Sequence, residues 1–330
     1  MTLLEPDRAQ GQLQRALALF RARADYRGAA VTLYIQAQNI SGFGHLDESL
    51  QLFRQAQGSL ARLGENAPVL WDFRLKYMIG GNLVILNRLD EAQQPLEQAI
   101  AEGLNDRNLP REELATTRSY HGLWLAGKGK FSEAEGEFQT ALATASDDPE
   151  VVESVYTHMA MAAEYRQDFV AAAEFARKSC QTRRGENPQT VWTAIRGLAW
   201  ARYRAEIGEV VPALAQVRED MPKVRRFWSD GSDYFCVPLM YAAHVFLKAG
   251  DFAQAERYAR EALRAAQLDS PQNWPWLAET TELLGEALIG EHRNADGMRL
   301  LREAHSIYAR CGPAWTAYSA RLTARIGAGS

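Results

Sequence analysis

A small residue returns along this chain at a near-constant interval. Ser49, Ala92, Ala134, Ala172, Ala213, Ala255 and Gly297 are separated by 43, 42, 38, 41, 42 and 42 residues. Each sits in the same register, with a residue three before it, one four after and one seven after. The register reads Leu46, Ser49, Phe53, Ala56, then Leu89, Ala92, Leu96, Ala99, then Phe131, Ala134, Phe138, Ala141. It continues to the copies headed by Phe169, Val210, Phe252 and Asn294, which makes seven. Spacings of three and four place these side chains on one face of a helix. Self-similarity at a fixed period is the mark of a repeat architecture.

Twelve residues before each small residue stands another: Ala37, Gly80, Gly122, Ala160, Ala201, Ala243 and Gly285. Two antiparallel helices approach to the close end of the usual axial distance only where both crossing points lack bulk. The paired columns therefore predict a helical hairpin per repeat. One hairpin cannot bury its apolar stripe alone, so neighbours must stack. Pro68, Pro110, Pro149, Pro188, Pro271 and Pro313 fall between consecutive hairpins, where a missing N–H ends a helix. The fifth junction has Pro222 instead.

This pattern resembles the tetratricopeptide repeat, over about Gly28 to Gly312. Units near 42 residues exceed the usual length of roughly 34, which implies helices longer by about a turn each. Units of that length resemble those of bacterial regulatory and peptide-sensing proteins. The resemblance implies an all-α, right-handed superhelical solenoid of seven antiparallel helix pairs spanning residues 28–312. A capping helix is expected within residues 1–27, over Arg8 to Ala24, and another within 313–330, over Ala314 to Ile326. The fifth copy departs most, with Arg204 at an apolar position and Asp220 at a small one, and Pro95 falls inside a second helix. Local irregularity is expected at both places.

Composition narrows the function. A formal charge of −4 does not favour nucleic acid, and the basic cluster Lys223, Arg225, Arg226 with Phe227 and Trp228 lies beside Glu219 and Asp220, as a solvated helix end does. Cys180, Cys236 and Cys311 fit neither a disulfide framework nor a zinc site. The longest apolar run, Phe235 to Leu247, is too short to span a bilayer and contains His244. A cytoplasmic protein without membrane association is expected. No nucleophile elbow, zinc-protease helix or phosphate loop occurs. His45, His121, His158, His244, His292 and His305 share no metal-like spacing. The chain reads as non-enzymatic, with no cofactor and no metal.

The resemblance further implies that first helices line a concave groove where a protein or peptide segment binds. Projected onto this chain, the groove residues are Tyr34, Gln38, Asn39, Arg74, Tyr77, Asn82, Met161, Glu164, Tyr165, Arg202, Met240, His244, Lys248 and Glu286. Their mixture of aromatics, methionines and both charges suits a peptide better than a phosphate backbone. It does not reproduce the basic carboxylate clamp of chaperone-tail binders. Asn39 and Asn82 stand in matching contexts and either contact a ligand backbone or satisfy the hairpin itself. Trp71, Trp192, Tyr234 and Trp276 share one register that argues for inter-repeat packing, whereas Trp228 and Trp274 lie off it, as exposed contacts would. The leading expectation is a peptide-binding adaptor. The alternative is the sensor portion of a bacterial transcription or signalling regulator, and self-association through a cap stays open.

Overall fold

A computed structural model describes residues 6–42, 45–145, 147–182, 191–227, 236–269 and 274–328. Gly44, Pro188, Trp228, Tyr234 and Pro271 lie outside them. The described residues form sixteen α-helices and no strand. Helix α1 (Pro6–Ala22) precedes seven antiparallel pairs: α2 (Tyr26–Gly42) with α3 (Leu46–Ala61), α4 (Val69–Ile85) with α5 (Leu89–Asn105), and α6 (Arg111–Gly127) with α7 (Phe131–Thr144). Next come α8 (Pro149–Tyr165) with α9 (Phe169–Thr182), α10 (Val191–Glu206) with α11 (Val210–Phe227), and α12 (Cys236–Lys248) with α13 (Phe252–Asp269). The last pair is α14 (Trp274–Gly290) with α15 (Asn294–Tyr308), followed by a 3-10 turn (Pro313–Trp315) and α16 (Thr316–Ala328).

The hairpins cross at the predicted small residues. At the seventh crossing a Cβ added to Gly297 would lie 2.6 Å from the Gly285 carbonyl oxygen, so neither helix has room for a side chain there. At the first crossing the Ser49 hydroxyl donates to the Ala37 carbonyl at 2.8 Å, turning close approach into a hydrogen bond. The irregular fifth copy is accommodated by a different residue. Asp220 is buried and points at Gly197, where a Cβ would meet its Oδ2 at 2.0 Å. Its carboxylate accepts from Gln216 at 2.6 Å and Lys223 at 2.8 Å. The irregularity expected at Pro95 does not break the helix: α5 runs through it, held by burial of Leu89, Ala92, Leu96 and Ala99.

Every described turn between the helices of a pair contains one residue in the left-handed region, five positions ahead of the small residue. These are Asn87, Gly129, Gln167, Gly208, Gly250 and His292. Asparagine tolerates that conformation better than most side chains. Between pairs, Pro68 and Pro110 stand as the N-caps of α4 and α6, and Pro149 opens α8 behind Asp148, whose carboxylate accepts from the Glu150 and Val151 amides.

Polar links recur at the repeat period. Arg74 pairs with Glu113, Ser119 with His158, Arg196 with Glu153, and Arg225 with Glu261, each reaching from one repeat to the next. Adjacent repeats are thus joined by side-chain bonds as well as by apolar packing.

The C-terminal segment does more than cover the last repeat. The Asn87 amide, in the α4–α5 turn, donates to the Cys311 carbonyl at 2.9 Å, and its Oδ1 faces the Trp315 indole N–H at 3.4 Å. Pro313 lies 3.6 Å from a Cβ position on Gly129, in the α6–α7 turn. Trp315 packs edge-on against Tyr165 of α8 at 5.3 Å, and the Tyr318 hydroxyl reaches Glu164. The superhelix therefore curls far enough for its C-terminal cap to cross the hollow and touch the second, third and fourth repeats.

Candidate functional site

Towards the C-terminal end two columns of the first helices, eleven and seven residues before the small residue, face the hollow. In the last three repeats the first column holds Arg202, His244 and Glu286, and the second holds Glu206, Lys248 and Gly290. Together with Glu279, Glu282 and Leu283 of α14 they wall a cavity of about 420 Å3. Phe169 and Phe252, at the starts of α9 and α13, form one edge. Tyr318, Arg321, Leu322 and Arg325 of α16 close it.

Arg202 organises the cavity floor. It is 3% exposed, and its two terminal nitrogens donate to Glu164 at 2.7 and 2.5 Å, a bidentate pair. Nη2 also donates to Glu279 at 2.6 Å. The rings of Tyr203 and Tyr241 flank the guanidinium at 5.3 and 5.6 Å. Glu164 accepts two more bonds, from the hydroxyls of Tyr203 at 2.7 Å and Tyr318 at 2.9 Å. Burial alone would raise the Glu164 carboxyl, but Arg202 and these hydroxyls hold it below its ordinary value.

Glu279 has the opposite balance. Burial pushes it up to about 7, Glu164 and Glu282 push the same way, and its share of Arg202 offsets this only in part. Glu282 is likewise raised, by burial first, against the pull of Arg321 at 2.6 Å and a hydrogen bond from Tyr308 at 3.0 Å. Glu206 is different again. Burial works against its charge, yet His244 at 2.5 Å and Lys248 at 2.7 Å hold its carboxyl well below the usual range. Burial keeps His244 below its ordinary value in spite of that partner. Two carboxyls held above their ordinary range, Glu279 and Glu282, and one held below it, Glu206, thus line one small cavity.

The sequence-projected residues divide between two environments. Arg202, His244, Lys248 and Glu286 line the cavity. Glu164 and Tyr165 lie under the C-terminal segment, against Tyr318 and Trp315. Met161 is half-buried and Met240 is buried. In the first repeats the projected side chains are engaged with one another. Tyr34 and Tyr77 are buried, Gln38 donates to the Tyr34 hydroxyl at 2.9 Å, and Arg74 is paired with Glu113. Asn82 is buried and spends its amide inside the solenoid, donating to Ser49 at 3.0 Å, with Ser41 donating to its oxygen at 3.3 Å. Asn39 is half-buried. Of the aromatic row, Trp71 packs on Tyr34 at 5.3 Å, Trp276 is partly buried between core clusters and Trp192 is 38% exposed. Trp274 is 40% exposed beneath the Arg310 guanidinium.

Sequence reasoning missed Glu206, Glu279 and the cations of α16. Glu206 was findable, since it holds the column of Lys248 one repeat earlier. Among the described residues no group of His, Cys, Asp or Glu is placed to hold a metal ion, and no helix is long and apolar enough to cross a membrane.

No family model matches the sequence, and no curated protein is significantly similar to it. Solved structures share its fold. NprR in complex with its cognate peptide NprX is 13% identical, with 92% of this chain and 82% of that one covered and a TM-score of 0.58. BtubC from P. vanneervenii is 18% identical over 68% of this chain and 91% of that one, with a TM-score of 0.50. A signal transduction ATPase with a tetratricopeptide repeat sensor, from Pyrococcus horikoshii, is 11% identical with a TM-score of 0.50; 89% of this chain is covered and 48% of that one, about half its length. The chain is an all-α solenoid with the tetratricopeptide-like helical-repeat fold.

Proposed function

We infer that this chain is a binding scaffold without catalytic chemistry, and that a peptide or short protein segment enters the cavity between α10, α12, α14 and α16. The observation that carries this reading is the cavity itself: concave, of the size range of ligand sites, with apolar edges and a few convergent polar groups. The C-terminal segment crossing the hollow favours a short ligand, or the end of a longer one, over a strand filling the whole groove. One structural neighbour was solved with its cognate peptide, which supports a peptide over other ligands. A sensing role is the second reading. It is favoured by the same crossing, because α16 closes the cavity and bonds to the fourth repeat, while Cys311, Pro313 and Trp315 just before it touch the second and third.

Native mass spectrometry tests the binding reading. Wild type and Leu247→Trp, which fills the cavity from a half-buried position, are each incubated with the peptide fraction of host lysate. A peptide retained by wild type and lost by the variant supports the cavity as the site. Retention by both, or by neither, overturns it.

A further inference from the structure

We propose that the cavity receives a cationic group, an ammonium or guanidinium on an aliphatic stem, which pairs with Glu279 and Glu282. This rests on the cavity reading above and names the chemistry of its ligand.

Ionisable groups in the cavity wall divide by depth. Glu206, Glu279 and Glu282 stand in the cavity wall with side chains 9%, 7% and 11% exposed. The buried cation among them is Arg202, and Glu164 already engages both of its terminal nitrogens. The other cations, Lys248, Arg321 and Arg325, are 38%, 45% and 49% exposed and reach inward from the rim. Lys248 serves Glu206, Arg321 serves Glu282 and Arg325 approaches Glu286 at 3.4 Å. Glu279 is left with a share of one nitrogen that Glu164 also uses. The wall therefore holds more buried carboxyl groups than its own buried cation can pair with.

The apolar part of the lining fits the rest of such a ligand. Phe169, Leu247, Phe252 and Leu283 provide a surface for methylene groups next to the carboxylates. A long aliphatic cation places its stem on apolar surface and its head on acids in this way. The α16 contacts show the same chemistry within the chain, since Arg321 and Arg325 already lie against the α14 stripe of Glu282 and Glu286. Burial at Glu279 adds a second readout. Its carboxyl, pushed up to about 7, faces Glu164, Glu282, Arg202 and Arg321, and a bound cation will lower it and release a proton at neutral pH.

Isothermal titration calorimetry of the full chain decides the matter, using agmatine, a capped tripeptide with central arginine, and its neutral citrulline counterpart. The expected result is binding of a cationic probe at least about tenfold tighter than citrulline. Proton release should appear as a dependence on buffer ionisation enthalpy. Binding should weaken in Glu279→Gln and vanish in Leu247→Trp. Agmatine alone binding identifies a small free cation; the arginine tripeptide alone binding identifies a basic side chain. If Glu279→Gln fails to fold by circular dichroism, Glu282→Gln takes its place. Equal binding of arginine and citrulline peptides, lost in Leu247→Trp, overturns the cationic assignment and leaves the cavity reading standing. No probe whose binding depends on Leu247 overturns both.

Discussion

The Tyr318 hydroxyl donates to Oε1 of Glu164 across 2.9 Å, joining residues 154 positions apart. This bond runs through the hollow of the superhelix, from the C-terminal cap to the fourth repeat. It lands on the same carboxylate that Arg202 grips. The cap and the cavity floor are therefore one hydrogen-bonded unit.

Tyr318→Phe tests that unit at low cost to packing. Glu164 keeps Arg202 and Tyr203 but loses one donor, and a hydrogen bond to a charged group is worth roughly 1.5–3 kcal/mol. Urea unfolding should show a loss in that range. Hydrogen exchange should rise in α16 more than in α2 or α3. Uniform exchange along the chain would show that the bond does not hold the cap.

Arg202→Met should cost more. It leaves Glu164 and Glu279 buried without their shared cation, and removal of one partner of a buried pair typically costs about 3–5 kcal/mol. Arg202 lowers the Glu279 carboxyl, so without it the variant takes up this proton at higher pH than wild type does, and the deficit should narrow as pH falls from 8 to 5. A deficit independent of pH would mean that the loss is one of packing, through Tyr203 and Tyr241, and not of charge.

The sequence made the hairpins legible because steric exclusion at a crossing leaves a mark on composition: Gly285 and Gly297 are small since their backbones touch. The column containing Arg202, His244 and Glu286 was legible for the same reason, as register fixes which side of a first helix faces the hollow. What lies opposite that side was not legible. Whether α16 meets Glu164 depends on superhelical curvature, the sum of a small rotation per repeat, and no local spacing records that sum. Tyr318 and Trp315 therefore read only as the apolar stripe of a terminal helix. Asp220 shows the converse, where a residue that breaks the small column seven positions after the crossing is accommodated by Gly197 on the facing helix, a match that no fixed spacing announced.

Gly297→Ala checks the crossing directly. The added methyl would lie 2.6 Å from the Gly285 carbonyl oxygen and 2.5 Å from Ile289, so α14 and α15 must separate. Overpacking of this kind costs typically about 1–3 kcal/mol. Gly58→Ala, in a helix with open space around the Cβ, should instead be neutral or stabilising by up to about 1 kcal/mol, from helix propensity. The thermal midpoint should fall in Gly297→Ala and hold or rise in Gly58→Ala, and equal shifts would remove close approach as the reason for the small columns.

His158 sets an acid limit on stability. Its ring is buried, stacks obliquely on Tyr120 at 4.8 Å and shares a 2.7 Å hydrogen bond with Ser119, and burial lowers its pKa to about 4. The unfolded chain takes up this proton near 6.5, so between about 6.5 and 4 the unfolded state binds more protons than the folded one. Stability from this group is complete above 6.5 and falls as pH drops, by up to about 1.4 kcal/mol per pH unit. Glu279 acts with the opposite sign over an overlapping range, because its folded value lies above its unfolded one and its contribution is lost as pH rises through about 7. His158→Gln should therefore flatten the acid limb of a plot of stability against pH, and Glu279→Gln should raise stability at pH 8 while changing little at pH 4. Denaturant midpoints measured from pH 4 to pH 8 on both variants separate the two terms, and an acid limb unchanged in His158→Gln would assign it to the carboxylates.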